Sequence, residues 1–144
     1  MSAPVTIRQF NFPEDYDAVW SLWNSIPQGI QVSRSDTRAE IEKKLQRDPD
    51  LFLVGESGGA IVGAVIGAFD GRRGAIYHLA VSNTYRGQGV GSQLLEEVEA
   101  RLRAKGCIRC RLFVTLENEE AARFYERRGW SLSDDVRPYT KDFD

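Results

Sequence analysis

Apolar residues recur along this chain with two different periods, and the changes of period mark its elements. Residues 5–10, 51–56 and 60–69 are dense in Val, Ile, Leu and Phe and read as strands. The last two are joined through Ser57-Gly58-Gly59, which predicts a hairpin. Residues 75–81, AIYHLAV, form a further strand-like run. After it the period lengthens: Val90, Leu94, Leu95, Val98 and Leu102 share one stripe of a helix, with Glu96, Glu97, Glu99, Arg101 and Arg103 on its other face. Lys105-Gly106 ends that helix as a basic residue followed by a C′ glycine, and residues 108–114 read as the next strand. Such a strand, loop, helix, strand unit needs parallel strands, with the loop at the carboxyl end of the first.

The flanking elements are placed more coarsely. Pro13-Glu14 opens a helix whose apolar residues are Val19, Trp20, Leu22 and Trp23, the tryptophans being core or subunit contacts. Residues 24–36 are polar, with Pro27 and Gly29 as breakers, and a second helix is expected over 37–46 with Asp36 as its cap. Residues 130–133 and 136–141 read as a last pair of short strands.

The loop Arg86-Gly87-Gln88-Gly89-Val90-Gly91 carries the first chemical signal. Glycines at alternate positions let the main chain adopt conformations that a Cβ penalises and approach a ligand closely. The helix that follows adds unpaired N–H groups and the positive end of its dipole, so a phosphate or pyrophosphate suits the site, with Arg86 as a charged donor. A dinucleotide fingerprint fits poorly, because the run is Gly-x-Gly-x-Gly and the following strand offers Arg109 and Arg111 instead of an acid. A P-loop is excluded by Ser92-Gln93, where Lys and Ser or Thr would be needed.

The second signal is a short helix beginning at Asn118, with Glu119 and Glu120 in its first turn, Arg127 and Arg128 in its last, and Gly129 to close it in the left-handed conformation. Ala121, Phe124 and Tyr125 fall on one side of it. Phe124 reads as a core aromatic, whereas Tyr125 carries a phenol that needs a partner when buried.

Composition narrows the class. With 144 residues, 42% of them hydrophobic, the chain is long enough for one domain, 1–144, with its own core. Its 19 basic and 21 acidic residues leave a net charge of −2, so no general attraction to nucleic acid or to a membrane surface is expected. Met1-Ser2-Ala3-Pro4 has neither a charged n-region nor an apolar h-region, and a cytoplasmic location is the expectation. Cys107 and Cys110 follow a helix and enter a strand, the reverse of a thioredoxin-type pair, and residues three apart in a strand point to opposite faces. They read as ordinary buried thiols, and no metal is implied.

Taken together, the glycine loop and the Asn118 helix resemble the GNAT superfamily of N-acetyltransferases. Arg86, Gly89 and Gly91 fall on its Arg/Gln-x-x-Gly-x-Gly/Ala pattern. Asn118, Ala121, Phe124, Tyr125, Gly129 and Trp130 fall on its Asn-x-x-Ala-x-x-Phe-Tyr-x-x-x-Gly-Phe/Trp helix. A closer likeness, to bacterial YpeA-type acetyltransferases, is carried by Leu51-Phe52-Leu53-Val54, by Phe69-Asp70-Gly71-Arg72-Arg73-Gly74 and by the Tyr77 strand. The resemblance implies a mixed α/β (α+β) fold with a central sheet of about six to seven strands and about four helices. It also implies direct acetyl transfer from acetyl-CoA to an amine. A small-molecule primary amine is the expected acceptor; a protein lysine or N-terminal amine, or a catalytically silent acyl-CoA-binding module, are the alternatives. Dimers are common in the superfamily, and an exposed tryptophan on the first helix would favour a homodimer.

By the same resemblance, the backbone of Leu79, Ala80 and Val81 would hold the acetyl-pantetheine arm and polarise the thioester carbonyl. The loop from Gly87 through Gln88, Gly89 and Val90 to Gly91, with Arg86, would take the pyrophosphate. Asn118 would touch the pantetheine, and Tyr125 would protonate the departing CoA sulfur. The base is left open. Many relatives use a Glu on the strand before the glycine loop, but residues 75–81 hold no carboxylate. His78 is a candidate because its unperturbed pKa suits proton removal near neutrality. Glu117, Glu119, Asp70 or a water relay are the others.

Overall fold

Ser57 and Ala60 pair across a two-residue turn in which Gly58 and Gly59 take φ of +58° and +81°. Two successive positive φ values match the right-handed twist of the flanking strands, and glycine reaches them without a steric cost. The expected hairpin is therefore present. The computed structural model describes residues 3–26 and 28–143; Met1, Ser2 and the breaker Pro27 lie outside the described residues.

In chain order the elements are β1 (Thr6–Gln9), α1 (Tyr16–Asn24), α2 (Arg38–Arg47), β2 (Phe52–Ser57), β3 (Ala60–Phe69), β4 (Gly74–Val81), α3 (Val90–Ala104), β5 (Cys110–Arg111) and α4 (Glu119–Glu126). They fall into two compact units, Met1–Phe113 and Val114–Asp144.

The first unit holds one mixed sheet in the order β1-β2-β3-β4-β5. Its neighbours are antiparallel except β4 and β5, which are parallel and joined through α3, as the crossover reading requires. Alternation along β3 separates the two faces. Ala64 and Ile66 join the core formed by Phe10, Tyr16, Val19, Trp23 and Phe52. Gly63 and Gly67 face α3 instead, where Leu94 and Val98 fill the space that a Cβ would take. The predicted stripe Val90, Leu94, Leu95, Val98 and Leu102 is the buried face of α3. Each such side chain is worth roughly 1.5–3 kcal/mol when fully buried, so the start of α3 is anchored firmly to the sheet.

Several expectations change. Trp23 is fully buried and Trp20 is packed against the core, so neither is the exposed tryptophan that would favour a homodimer. Asp36 is not the cap of α2: that position is Thr37, and the Asp36 carboxylate turns elsewhere. Among the described residues the sheet has five strands, not six to seven. The strand expected over 108–114 shrinks to Cys110–Arg111, which pair with Gly74 and Ala75. A bulge further along β4 bends and twists that strand, and the parallel pairing stops short of it.

The second unit contains α4 and, among its described residues, no strand over 130–133 or 136–141. Asp134-Asp135 and Pro138 interrupt the apolar positions Leu132, Val136 and Tyr139, and proline lacks the N–H that a ladder needs. Asn118 does cap α4 as expected: its Oδ1 accepts the Ala121 N–H at 3.1 Å. At the other end Gly129 has φ +90°, the Gly129 N–H donates to Glu126 O and the Trp130 N–H donates to Tyr125 O, which closes the helix by a Schellman arrangement.

Candidate active site

The edge of β4 is built by its register. Ser82 N–H donates to Val62 O at 2.8 Å, and Val81 and Ala80 lie opposite Gly63 and Ala64. In an antiparallel ladder alternate residues turn their N–H and C=O to opposite edges. The backbone of Ala80 is therefore committed to β3, while that of Val81 faces the β5 side. Because β5 pairs only with Gly74 and Ala75, this edge is open at Val81 among the described residues.

Between Ala80 and Tyr77 the ladder slips: they pair with Ala64 and Ile66, so His78 and Leu79 together oppose Val65. His78 takes the left-handed conformation, φ +53°, and is the one non-glycine residue with positive φ among those described. Bulges commonly place glycine there, and a side chain at such a φ is strained. The imidazole is mostly buried, with its side chain 19% exposed. Its Nε2 lies 3.0 Å from Asp36 Oδ2, and its ring meets Trp23 edge-on at 5.0 Å between centroids.

Asp36 is held from several sides. Its carboxylate accepts the Ser33 N–H at 3.0 Å, its carbonyl accepts the Tyr16 hydroxyl at 2.7 Å, and the residue is 5% exposed. No pattern in the sequence marked it, because an acid just before a helix looks like a cap. Asp70 fares differently as a candidate base. It accepts the N–H groups of Arg73 and Arg72, which hold its carboxyl below the usual carboxylate range and make it a poor proton acceptor.

After β4 a single 3-10 turn, Asn83–Tyr85, leads into the glycine loop. Gly87 and Gly89 have φ of +75° and +82°, and nothing lies within 4 Å of where a Cβ would stand on either. Gly89 is the N-cap of α3 and offers no capping side chain; the first helical bond runs from Gln93 N–H to Gly89 O. The N–H groups of Val90, Gly91 and Ser92 thus lie in the first turn, where the helix itself supplies no acceptor. Val90 buries its side chain against the sheet, so only its backbone can serve a ligand. Arg86, Gly87, Gln88 and Gly89 are exposed.

In the second unit Tyr125 lies on α4, edge-on to Phe124 at 5.2 Å and to Trp130 at 6.0 Å. Burial pushes its phenol up to about 12, so it keeps its proton through the neutral range. Glu119 faces Arg123 at 3.8 Å on the same helix.

The cysteines depart from the strand geometry expected of them. Cys107 precedes β5, and a Cβ on Gly74 would stand 2.8 Å from its Sγ and 3.4 Å from that of Cys110, so both thiols lie on the same side. Burial, and then the neighbouring Cys107, push the Cys110 thiol up to about 11. Among the described residues no group of three or more His, Cys, Asp or Glu is placed to hold a metal ion, and no helix is long and apolar enough to cross a membrane.

An open strand edge followed by a glycine loop at a helix N-terminus is the arrangement that the sequence resemblance implied, and a profile of the acetyltransferase (GNAT) family matches residues 16–130. The chain belongs to the GNAT acetyltransferase family. It is 38% identical to an acetyltransferase of Sodalis glossinidius over 130 residues, 90% of this chain and 89% of that one. Among solved structures it resembles Ard1 from Thermoplasma volcanium, with a TM-score of 0.78 and 28% identity over 90% of this chain and 84% of that one. It shares the fold of the PaiA N-acetyltransferase from Thermoplasma acidophilum, solved in complex with coenzyme A, with a TM-score of 0.79 and 20% identity over 92% and 93% of the two chains. This GNAT protein is an acyltransferase with acetyl-CoA as its cosubstrate.

Proposed function

We propose that this acetyltransferase moves the acetyl group directly from acetyl-CoA to a primary amine of a small molecule, as one catalytic domain spanning 1–144 and working in the cytoplasm. The observation that carries the reading is the continuity of β4, glycine loop and α3: an edge with backbone groups turned outward runs into a loop with open space over Gly87 and Gly89. A family match that runs across the boundary between the two compact units supports treating them as one domain.

In this reading the loop amides from Gly87 to Gly91, with Arg86, take the pyrophosphate. The outward groups of Val81 and its neighbour Leu79 hold the acetyl-pantetheine arm, and a backbone donor there polarises the carbonyl. Asn118 contributes its amide nitrogen to the pantetheine, since its Oδ1 is already used by the helix. The amine lone pair attacks the thioester carbon, the C–S bond breaks, and the thiolate takes the phenolic proton of Tyr125. The proton lost by the amine goes to His78. The high pKa of Tyr125 keeps that donor protonated until it is needed.

What supports a slim primary amine as acceptor is the confinement of His78, whose side chain is only 19% exposed. The test is thiol release from acetyl-CoA against a panel of small primary amines and of peptides with free N-termini or lysines, with each acceptor weighed by mass spectrometry. Acetylated small amines are expected. Acetylation of peptides alone would replace this acceptor class, and thiol release that needs no amine would overturn transfer altogether.

A further inference from the structure

We infer that Asp36 is a positioning residue for His78, holding the imidazole as its Nε2–H tautomer so that Nδ1 is the atom that takes the proton from the acceptor amine. This rests on the proposed acetyl transfer for its rate consequences and on geometry alone for the tautomer. An ionised carboxylate only accepts hydrogen bonds, so the 3.0 Å contact between Asp36 Oδ2 and His78 Nε2 puts a hydrogen on Nε2 and leaves the lone pair of a neutral ring on Nδ1. A base oriented by a third group in this way recurs in sites that activate a nucleophile.

Three further observations fit orientation as the purpose. His78 tolerates a left-handed backbone that its Cβ penalises, at a bulge that re-aims its side chain toward Asp36, and strain of this kind collects at functional sites. The ring has the buried indole of Trp23 edge-on to it, at 65° between planes. Asp36 is fixed in turn, through Ser33 N–H on its carboxylate and Tyr16 on its carbonyl, so it is a rigid reference for the imidazole. The pair joins positions 42 residues apart and is absent from any local motif.

The chain contains a single histidine, so 15N-histidine labelling of the untagged protein reads His78 without assignment. At a pH where the ring is neutral, the parent should show a protonated Nε2 and an unprotonated Nδ1. Asp36→Ala and Asp36→Leu, which leave no acceptor for Nε2–H at that position, should lose that fixed pattern. With the amine that the parent acetylates best, both should lower kcat on the order of tenfold or more while leaving KM for acetyl-CoA unchanged. The Asp36→Ala/His78→Ala double variant should be no slower than His78→Ala alone, because Asp36 acts through His78.

A proton on Nδ1 in the parent overturns the proposal without any variant having to fold. A fixed Nε2–H tautomer with undiminished kcat in the Asp36 variants overturns it while leaving acetyl transfer intact. Additive losses in the double variant would make Asp36 structural. A parent that acetylates no amine removes the function reading, and the base role with it.

Discussion

Gly67 of β3 and Val98 of α3 sit so close that a Cβ on Gly67 would stand 2.7 Å from Val98 Cγ2. Valine in a helix has one strongly preferred rotamer, so it cannot swing aside and the helix itself must move. Gly67→Ala should therefore destabilise the protein by about 1–3 kcal/mol, the usual cost of overpacking a core. Gly67→Ala combined with Val98→Ala should cost less than the sum of the two single changes. Denaturant midpoints measure both; an unchanged midpoint for Gly67→Ala would mean that α3 is not seated on β3 in this way.

Gly59 and Gly89 form a matched pair for testing the phosphate site. Their φ values are +81° and +82°, and both have open space where a Cβ would point. Glutamate at either position should cost roughly 1–2 kcal/mol for the left-handed backbone. Only Gly89→Glu also puts a negative charge at the helix N-terminus. Saturating CoA at a hundredfold excess over Kd should add about 2.7 kcal/mol to the parent and to Gly59→Glu, and nothing to Gly89→Glu. Thermal unfolding with and without CoA decides it; equal CoA responses in the two variants would remove the pyrophosphate from the loop.

How far the sequence revealed the site depends on whether its parts are local. The buried face of α3 was legible because Val90, Leu94, Leu95, Val98 and Leu102 repeat at the helical period, and the hairpin because Gly58-Gly59 permit one kind of turn. The bulge in β4 was hidden, since AIYHLAV contains no glycine to flag a left-handed residue and His78 stands where glycine is usual. Asp36 was misread for a similar reason: a cap and a long-range partner look alike in sequence, and only the fold brings it to His78. Beyond Trp130, apolar spacing suggested strands, but Asp134-Asp135 and Pro138 outweigh it.

The left-handed backbone at His78 predicts an unusual order of stabilities. His78→Ala keeps a Cβ in a conformation that penalises it, whereas His78→Gly removes the penalty. Both lose the Asp36 contact equally. The glycine variant should be the more stable of the two by about 1 kcal/mol, although glycine in an ordinary strand is the weaker choice. Paired denaturation curves measure it, and an alanine variant that is clearly the more stable would place His78 in a regular strand.

Alkaline pH should weaken the fold in a defined window. Cys110 is raised from 9.0 to about 11 and Tyr125 from 10.0 to about 12, both mainly by burial. The folded protein thus holds protons that the unfolded chain releases first, so stability is intact below about 9 and falls as pH rises through 11 and 12. Cys110→Ala should remove the earlier part of that fall. Stability measured by denaturant from pH 8 upward, about one unit below the ordinary cysteine value, tests this; a flat profile would contradict the burial of both groups.

In the proposed transfer, acetyl passes directly to an amine while Tyr125 protonates the sulfur that leaves. Tyr125→Phe keeps the ring that packs against Phe124 and Trp130 and removes only the phenolic proton. Single-turnover acetyl transfer, measured beside CoA titration, should show a rate lowered by about 10²–10⁴-fold with CoA affinity essentially unchanged. An undiminished single-turnover rate would contradict the account and leave Tyr125 a packing residue; loss of CoA affinity in its place would make the hydroxyl an anchor for the cosubstrate.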